Sequence, residues 1–449
     1  MSEKLLEKYS AAVPRYTSYP TAPHFHEGVS CGIYAQWLGK LGDSDNLSLY
    51  LHIPYCDRLC WFCACHTKHT LKYEPIASYL TSLKLEIAAV GQRISRDARV
   101  TAVHFGGGSP TMLKPEDMID LMDCLRAAFN FAENAEISVE MDPNDLDEPR
   151  YDALAAIGMT RASLGVQDFD PKVQKTINRI QTFEQTRSVV EAVRARGVRS
   201  VNCDILYGLP YQSLDTLAET VRSIISLDPD RIALFGYAHV PWMKKHQTMI
   251  PDEALPDILE RYRQMTLAGD MLVAAGYEAI GIDHFAKPVD SLAVACSKGD
   301  LKRNFQGYTD DSATALIGLG ASSIGKLPQG YVQNMPATGE YQRMAETDGL
   351  CVVRGIELSD DDRARAWVIE RIMCDFAFDF AELECEFGRD PSGIIAEAKL
   401  FAAQNSDGIA QIKGQVFSLT EAGKPFARTV AAVFDSYLST GKGRHSVAV

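Results

Sequence analysis

The chain has 449 residues, 46% hydrophobic and 23% charged, the balance of a soluble globular protein with one large core and a satellite, or two to three domains. That excludes a disordered or collagen-like chain, and no run of about eighteen apolar residues exists to span a membrane. With 45 basic against 59 acidic residues the net charge is −14, a field that repels phosphate backbones and anionic membranes and favours a small substrate.

The opening MSEKLLEKYS has no apolar core and no small-residue cleavage site, so no signal peptide is expected. The eleven cysteines are an odd number. Four fall within ten residues and the rest are scattered through apolar segments. That pattern predicts a reducing cytoplasm and one special cluster, not a disulfide scaffold.

Residues 1–46 read as an arm: a short helical start, then Pro14-Arg15-Tyr16-Thr17-Ser18-Tyr19-Pro20-Thr21. Two prolines and alternating aromatics predict an extended strap over a surface. From Leu47 strands and amphipathic helices alternate. Strands are predicted at Leu47–Ile53, Val100–Gly106, Glu136–Asp142, Arg161–Gln167, Val201–Gly208 and Arg231–Ala238. Helices are predicted at Ser78–Ile94, Pro115–Phe129, Glu148–Ile157, Thr182–Arg196, Ser213–Leu227 and Ile258–Ala275. Six such units imply a parallel sheet with right-handed crossovers, and the spacing suits a barrel or partial barrel.

Residues 277–345 read as irregular and Gly-rich, with Gly318–Gly325 (GLGASSIG) as a tight loop. Ser359 before three aspartates predicts a helix to about Met373. Helical stretches near Asp379–Phe387 and Ile394–Ala403, a hairpin turning at Lys413-Gly414 and a final helix to about Leu438 complete a winged-helix-like block. Only Lys399 is basic on the helix before that hairpin, which argues against a nucleic-acid interface. The expected domains are the arm at 1–46, the barrel with its extension at 47–345 and a helical domain at 346–449.

The strongest chemical signal follows the first strand. Cys56, Cys60 and Cys63 stand at C-x3-C-x2-C spacing. Thiolates suit iron–sulfur clusters or zinc, but structural zinc prefers paired C-x2-C knuckles and no second pair exists. Cys65 is too close to Cys63 to complete the same cluster, so three cysteines bind and one iron stays open. The bland alternative is a buried or zinc-bound cysteine patch. In parallel barrels the C-terminal strand ends carry the site. Gly106-Gly107-Gly108-Ser109 after strand two, Glu140 after strand three, and Gln167 and Asp168 after strand four are candidates there. So are Arg179, Asp204 and the run Phe235–His239. Singly, each fits a cap, a salt bridge or a turn.

The cysteine loop, with Phe62 before its third cysteine, resembles the radical S-adenosylmethionine superfamily. Over roughly residues 5–440 the strings VPRYTSYPT, LYLHIPYC, HFGGGSPT, ISVEMDPNDL, LGVQDFDPKVQKTINR, DILYGLP, IDHFAKP and RNFQGYT resemble the oxygen-independent coproporphyrinogen III oxidase family. The resemblance implies an α/β fold, a partial (β/α)6 barrel with an N-terminal arm and a mainly helical, winged-helix-like C-terminal domain. It implies a 4Fe-4S cluster on Cys56, Cys60 and Cys63, whose open iron is chelated by S-adenosylmethionine, with two such molecules held at once. It also implies an oxidoreductase of heme biosynthesis, in which a 5′-deoxyadenosyl radical starts the oxidative decarboxylation of two propionates of coproporphyrinogen III to vinyl groups. The product is protoporphyrinogen IX.

Carried over by position, Tyr50, Phe62, Gly107, Gly108, Ser109, Glu140, Gln167, Arg179, Asp204, Ala238 and Ile324 are expected cofactor contacts. Tyr50, Glu140, Phe305, Gln306 and Ile324 form the expected catalytic set, Phe305 and Gln306 as lining. Ser109 stands where Thr is usual and Tyr55 where Phe is common. Cys65 matches an extra cysteine that is not a ligand. The substrate's four propionates call for cations, for which Arg15, Arg303, Lys244 and Lys245 are candidates. His52 and His284 read as satisfied core or rim histidines. The expected partners are the porphyrinogen and an electron donor such as a flavodoxin or ferredoxin, with no nucleic acid, no membrane and a monomeric chain. The alternatives are a heme chaperone or a heme-degrading relative of the same superfamily, and a zinc-stabilised scaffold.

Overall fold

The computed structural model describes residues 3–144, 146–388 and 391–438. The end of the C-terminal block, 439–449, therefore lies outside the described residues. Six strands run parallel in chain order: β1 (Asn46–Ile53), β2 (Arg99–Gly107), β3 (Asn130–Met141), β4 (Arg161–Gln167), β5 (Ser200–Tyr207) and β6 (Arg231–Gly236). The helices between and after them are α1 (Glu74–Gly91), α2 (Pro115–Ala128), α3 (Glu148–Ala156), α4 (Phe183–Ala195), α5 (Leu214–Ser226) and α6 (Ile258–Ala274). Their starts follow local chemistry: proline opens α2, and Thr182 and Ser213 form capping boxes for α4 and α5.

The sheet does not close into a barrel. Beyond β6 it adds two short antiparallel strands, β7 (Glu278–Ile280) and β8 (His284–Ala286). On the other side of β1 it adds parallel β9 (Ala315–Leu319), then antiparallel β10 (Ile324–Leu327), β11 (Gly330–Asn334) and β12 (Val352–Glu357). The order is β12-β11-β10-β9-β1-β2-β3-β4-β5-β6-β8-β7. Two expectations change here. Residues 277–345 are not irregular but supply both sheet extensions, and GLGASSIG is a strand end, a turn and a strand start. The sheet also runs on to Glu357, past the boundary expected at 346.

Period-two alternation sorts the side chains of the parallel strands. Leu49, Leu51 and Ile53 point outward and are 0–1% exposed in the core under the helices, each worth about 1.5–3 kcal/mol of burial. Tyr50 and His52 point the other way, as do His104, Glu140, Ser163, Asn202 and Asp204, in register across β1 to β5. The concave face is thus polar by sequence alternation.

A second core gathers α7 (Asp360–Asp375), α8 (Phe380–Phe387), α9 (Ser392–Gln404) and the small sheet of Ala377–Asp379, Ala410–Lys413 and Val416–Leu419. The Ser359 capping box holds as expected. The last helix is shorter than expected, Ala427–Ala431 with one further turn to Phe434. The arm is not a surface strap. Leu6, Tyr9, Tyr16 and Tyr19 are buried in this second core. Tyr16 OH donates to Asp435 Oδ2 at 3.0 Å, and Arg428 Nη2 donates to the Val13 carbonyl at 2.6 Å. A proline-rich backbone cannot become helical, yet its aromatic rings gain from burial. Residues Cys31–Leu38 form a helix whose Tyr34, Trp37 and Leu38 enter the main core instead. No helix among the described residues is long and apolar enough to cross a membrane.

Candidate active site

The cysteine loop leaves β1 at Ile53 and is pinned from several sides. Trp61 N donates to Ile177 O at 2.9 Å and Asn178 Nδ2 to Leu59 O at 2.9 Å. Gln247 Nε2 bridges the carbonyls of Phe62 and Ala238, at 2.8 and 3.1 Å, and His246 Nε2 meets Cys63 O at 2.7 Å. Cys56, Cys60 and Cys63 are all free thiols, Cys60 buried and the others partly so. Cys65 is exposed, and its backbone N–H donates to Cys63 Sγ at 3.4 Å. No three Cys, His, Asp or Glu groups among the described residues converge on one ion position. The C-x3-C-x2-C spacing fits a polynuclear cluster with one thiolate per iron better than the paired knuckles of structural zinc.

Arg179 sits behind the loop. It is 8% exposed, pairs with Asp142 at 3.0 Å, donates Nη2 to Gly165 O at 2.6 Å and places Nη1 3.7 Å from Cys60 Sγ. Its Nε is buried without a partner among the described residues.

The glycine run lies against the start of the loop. Gly108 N donates to Ile53 O at 2.8 Å and Ser109 N to Tyr55 O at 2.7 Å. A Cβ on Gly108 would stand 2.5 Å from the Tyr55 carbonyl, and Gly107 has φ +112° beneath the His52 ring. No side chain fits at either position. Ser109 Oγ is tied to Thr111 at 2.9 Å.

Glu140 accepts from Gly107 N at 3.1 Å and meets His104 Nε2 at 3.1 Å. Burial raises its pKa, but the hydrogen bond and charge of His104 and the Gly107 N–H outweigh that and hold it below the usual carboxylate range. Tyr50 stacks on His104 at 5.8 Å, and its hydroxyl meets His52 Nδ1 at 3.0 Å. Burial pushes His52 down to about 4, so a neutral imidazole lies between Tyr50 and the His66 carbonyl. Asp204 accepts from Asn202 Nδ2 at 2.7 Å and lies 3.5 Å from Ser163 Oγ; burial raises it to about 6. Gln167 ends β4 at φ +70°, a left-handed conformation costly for any residue but glycine.

The remaining predicted residues divide. Ile324 opens β10, and its backbone lies against Gly318, the register partner of Tyr50. Phe305 packs with Ile324 around Tyr331. Gln306 is exposed in the turn of the hairpin Lys302–Asn304 and Gly307–Thr309, and its N–H bonds locally to Asn304. Arg15 and Arg303 face one cavity, but Lys244 is turned onto the Cys65 carbonyl at 2.7 Å and Lys245 is exposed. Neither lysine lines that cavity. Asp168 is wholly buried, held by Gln212 and Thr220, as a structural group. His284 is satisfied by Asp283 at 2.6 Å.

The sequence reading passed over His104, Asp142, Gln247, Arg261 and Arg428. His104 was within reach, since it shares the alternation phase of Gly106 on a recognised strand. Asp142 closes the predicted third strand, two residues after Glu140. The other three stand on helices or a loop with no local signal.

The Radical SAM superfamily pattern matches residues 50–224. The oxygen-independent coproporphyrinogen III oxidase of Bradyrhizobium diazoefficiens is 46% identical over 97% of both chains. The protein of that name from Paracoccus denitrificans is 46% identical over 98% of this chain and 97% of its own. The solved coproporphyrinogen III oxidase of Escherichia coli, described as a radical SAM enzyme, superposes with a TM-score of 0.92 at 36% identity. It covers 98% of this chain and 99% of its own. Identity at this level over nearly the whole length, on one shared fold, makes this chain a member of the oxygen-independent coproporphyrinogen III oxidase family within the radical SAM superfamily.

Proposed function

We propose that the protein decarboxylates two propionates of coproporphyrinogen III to vinyl groups without oxygen, giving protoporphyrinogen IX. The observation that carries the reading is the free thiol trio on a pinned loop at the mouth of a polar concave sheet, in a chain 46% identical to named oxidases. Cys56, Cys60 and Cys63 would hold the 4Fe-4S cluster. When bound, the reduced cluster and S-adenosylmethionine supply a 5′-deoxyadenosyl radical able to take a hydrogen atom from a propionate β-carbon.

The chain's own residues position and protect. Gly107, Gly108 and Ser109 offer backbone at a place where no side chain intervenes. Glu140, kept ionised by His104 and Gly107, offers an anion to an ammonium or to ribose hydroxyls. Asp204, Gln167, Arg179, Tyr50 and Ala238 surround the same concavity. Ile324 and Phe305 are apolar lining for a second S-adenosylmethionine or the substrate. Trp61 and Phe62 pack with Leu206, Phe235 and Tyr237, an apolar wall that keeps water from a radical. Radical abstraction needs no strong base, and neutral His52 suits that. The reading includes a flavodoxin or ferredoxin as electron donor and a cytoplasmic monomer.

Anaerobic turnover with dithionite, S-adenosylmethionine and coproporphyrinogen III tests it. Mass spectrometry should find 5′-deoxyadenosine and products lighter by one and two formic-acid equivalents. Deoxyadenosine with unchanged porphyrinogen would move the substrate elsewhere, and stoichiometric heme binding with neither product would favour the chaperone.

A further inference from the structure

Beside the C-terminal end of β6 lies a cavity of about 430 Å³ that none of the expected cofactor contacts lines. Four arginines reach it from four parts of the chain: Arg15 from the arm, Arg261 from α6, Arg303 from the hairpin before β9 and Arg428 from the C-terminal block. Three acids also face it. Glu421 is paired with Lys424 at 2.7 Å, and Asp270 is exposed on α6. That leaves Asp283, already bonded to His284 Nδ1 at 2.6 Å, among the four guanidinium groups.

The arm closes this cavity. Arg428 donates to the carbonyls of Val13 and Pro14, at 2.6 and 3.3 Å. Arg303 Nη2 lies 3.4 Å from Arg15 O, and Arg15 Nη2 donates to Gly236 O at 3.2 Å. Burial, then Arg15 and Arg303, pull Arg428 down to about 10. Burial lowers Arg15 as well, with Asp283 opposing; for Arg303 burial is outweighed by Tyr308 and Asp283. Arg303 lies over the Tyr308 ring at 4.5 Å, and Tyr308 is also a side-chain hydrogen-bond partner for it. Four guanidinium groups drawn together from distant parts of the chain repel one another, a cost that an incoming anion offsets.

We propose that this cavity is a carboxylate clamp that holds the substrate by the two propionates the reaction leaves intact, an inference that rests on the porphyrinogen reading above. Forked guanidinium groups match carboxylates bidentately. The volume lies low in the range of about 300–1,000 Å³ for small-ligand pockets, suited to the acidic edge of a tetrapyrrole rather than the whole ring. Two of the four propionates become vinyl groups, so only the other two are present from first binding to product release. They are the constant handle. Arg303 stands in the stem of the hairpin whose turn carries Phe305 and Gln306, which links the grip to the reacting side.

The test is fluorescence titration of the full-length, cluster-loaded protein with three stable porphyrins: coproporphyrin III, mesoporphyrin IX and the dimethyl ester of mesoporphyrin IX. The first two should bind within a few-fold of each other and the ester at least about tenfold more weakly. Arg303→Gln should weaken both free acids about tenfold or more, leaving the ester, S-adenosylmethionine affinity and cluster absorbance unchanged. Arg261→Gln, checked by its melting curve, carries the same expectation should Arg303→Gln fail to fold. Equal binding of acid and ester, or variants that bind the acids as wild type does, would overturn the clamp while turnover persists. Tight binding of the four-propionate porphyrin alone would place the grip on the reacting propionates and overturn it too. Absence of wild-type turnover on coproporphyrinogen III, whatever the titrations give, is instead failure of the porphyrinogen reading.

Discussion

At the cysteine end of the sheet each principal charge has its counterpart. Arg179 stands 3.0 Å from Asp142, and Glu140 meets His104 and the Gly107 amide at 3.1 Å. At the arm-covered cavity four guanidinium groups and Lys424 stand with three acids, Asp270, Asp283 and Glu421. The first region fixes a geometry and holds it without help, as a reactive centre needs. The second gathers more cationic than anionic groups on one lining, which favours an anionic guest. Changes at the first should act on loading and chemistry, and changes at the second on substrate grip.

The largest expected effect tests whether the cysteine end works as a unit. Cys60→Ala should abolish iron–sulfur absorbance and reduce turnover below detection. Cys65→Ser should keep both, because Cys65 is not among the three expected ligands, and serine retains the backbone N–H it gives Cys63 at 3.4 Å as well as a side-chain donor. Iron and sulfide assays decide it; loss of the cluster in both variants would break the three-thiol reading.

Next comes Glu140→Gln. It leaves His104 and Gly107 in place but removes the charge they hold. S-adenosylmethionine affinity, read by equilibrium dialysis, should fall about tenfold to a hundredfold with the cluster intact. Wild-type affinity would make Glu140 a mere partner of His104, and the pairing at this end would be structural only.

The same contrast explains what could be read from the sequence. The cysteine trio, the triple glycine and Glu140 were legible because neighbours in sequence, or strand ends one β/α unit apart, are neighbours in space. Six units predicted a parallel sheet, and its C-terminal strand ends were where the polar candidates were read. Arg261 and Arg428 were not legible. Each is one arginine on a helix, and only docking of the C-terminal block brings them to Arg15 and Arg303. The tyrosines of the arm were misplaced for a related reason: an extended, proline-bearing segment looks alike whether it crosses a surface or enters a distant core. Strands β7 to β12 were missed because they are only three to six residues long, too short for an alternation to show, and β8 and β9 join the parallel strands through partners far away in sequence.

Behind the cysteine end, Glu86 on α1 is fully buried. It accepts from Gly320 N at 2.7 Å, Asn334 Nδ2 at 2.5 Å and Tyr341 OH at 2.6 Å. It thereby ties α1 to the turn between β9 and β10 that leads into Ile324. Burial raises its pKa from 4.5 to about 7 against those three donors. Below pH 4.5 the folded and unfolded chains both hold the proton. Between 4.5 and 7 the unfolded chain releases it first, so stability falls as pH rises; above 7 no further loss occurs. Glu86→Gln cannot titrate, so the wild type's advantage in urea denaturation should shrink from pH 5 to pH 7.5 by up to about 3 kcal/mol. A constant difference would mean that Glu86 stays ionised throughout.

The smallest effect separates geometry held for function from geometry held for stability. Gln167 sits at φ +70° where β4 meets the concave face, and its Nε2 folds back towards Gly165, 3.1 Å from where a Cβ would stand. A non-glycine residue in that conformation costs about 1 kcal/mol. Gln167→Gly should therefore leave stability unchanged or raise it by up to about 1 kcal/mol, the relief being partly offset by a looser unfolded chain. If the strained turn aims the amide at a cofactor, S-adenosylmethionine affinity should fall several-fold in the same variant. The two measurements then move in opposite directions, which a purely structural residue cannot produce. Both moving together, or affinity staying at the wild-type value, would assign the turn to folding and leave Glu140 and the glycine run to hold the cofactor.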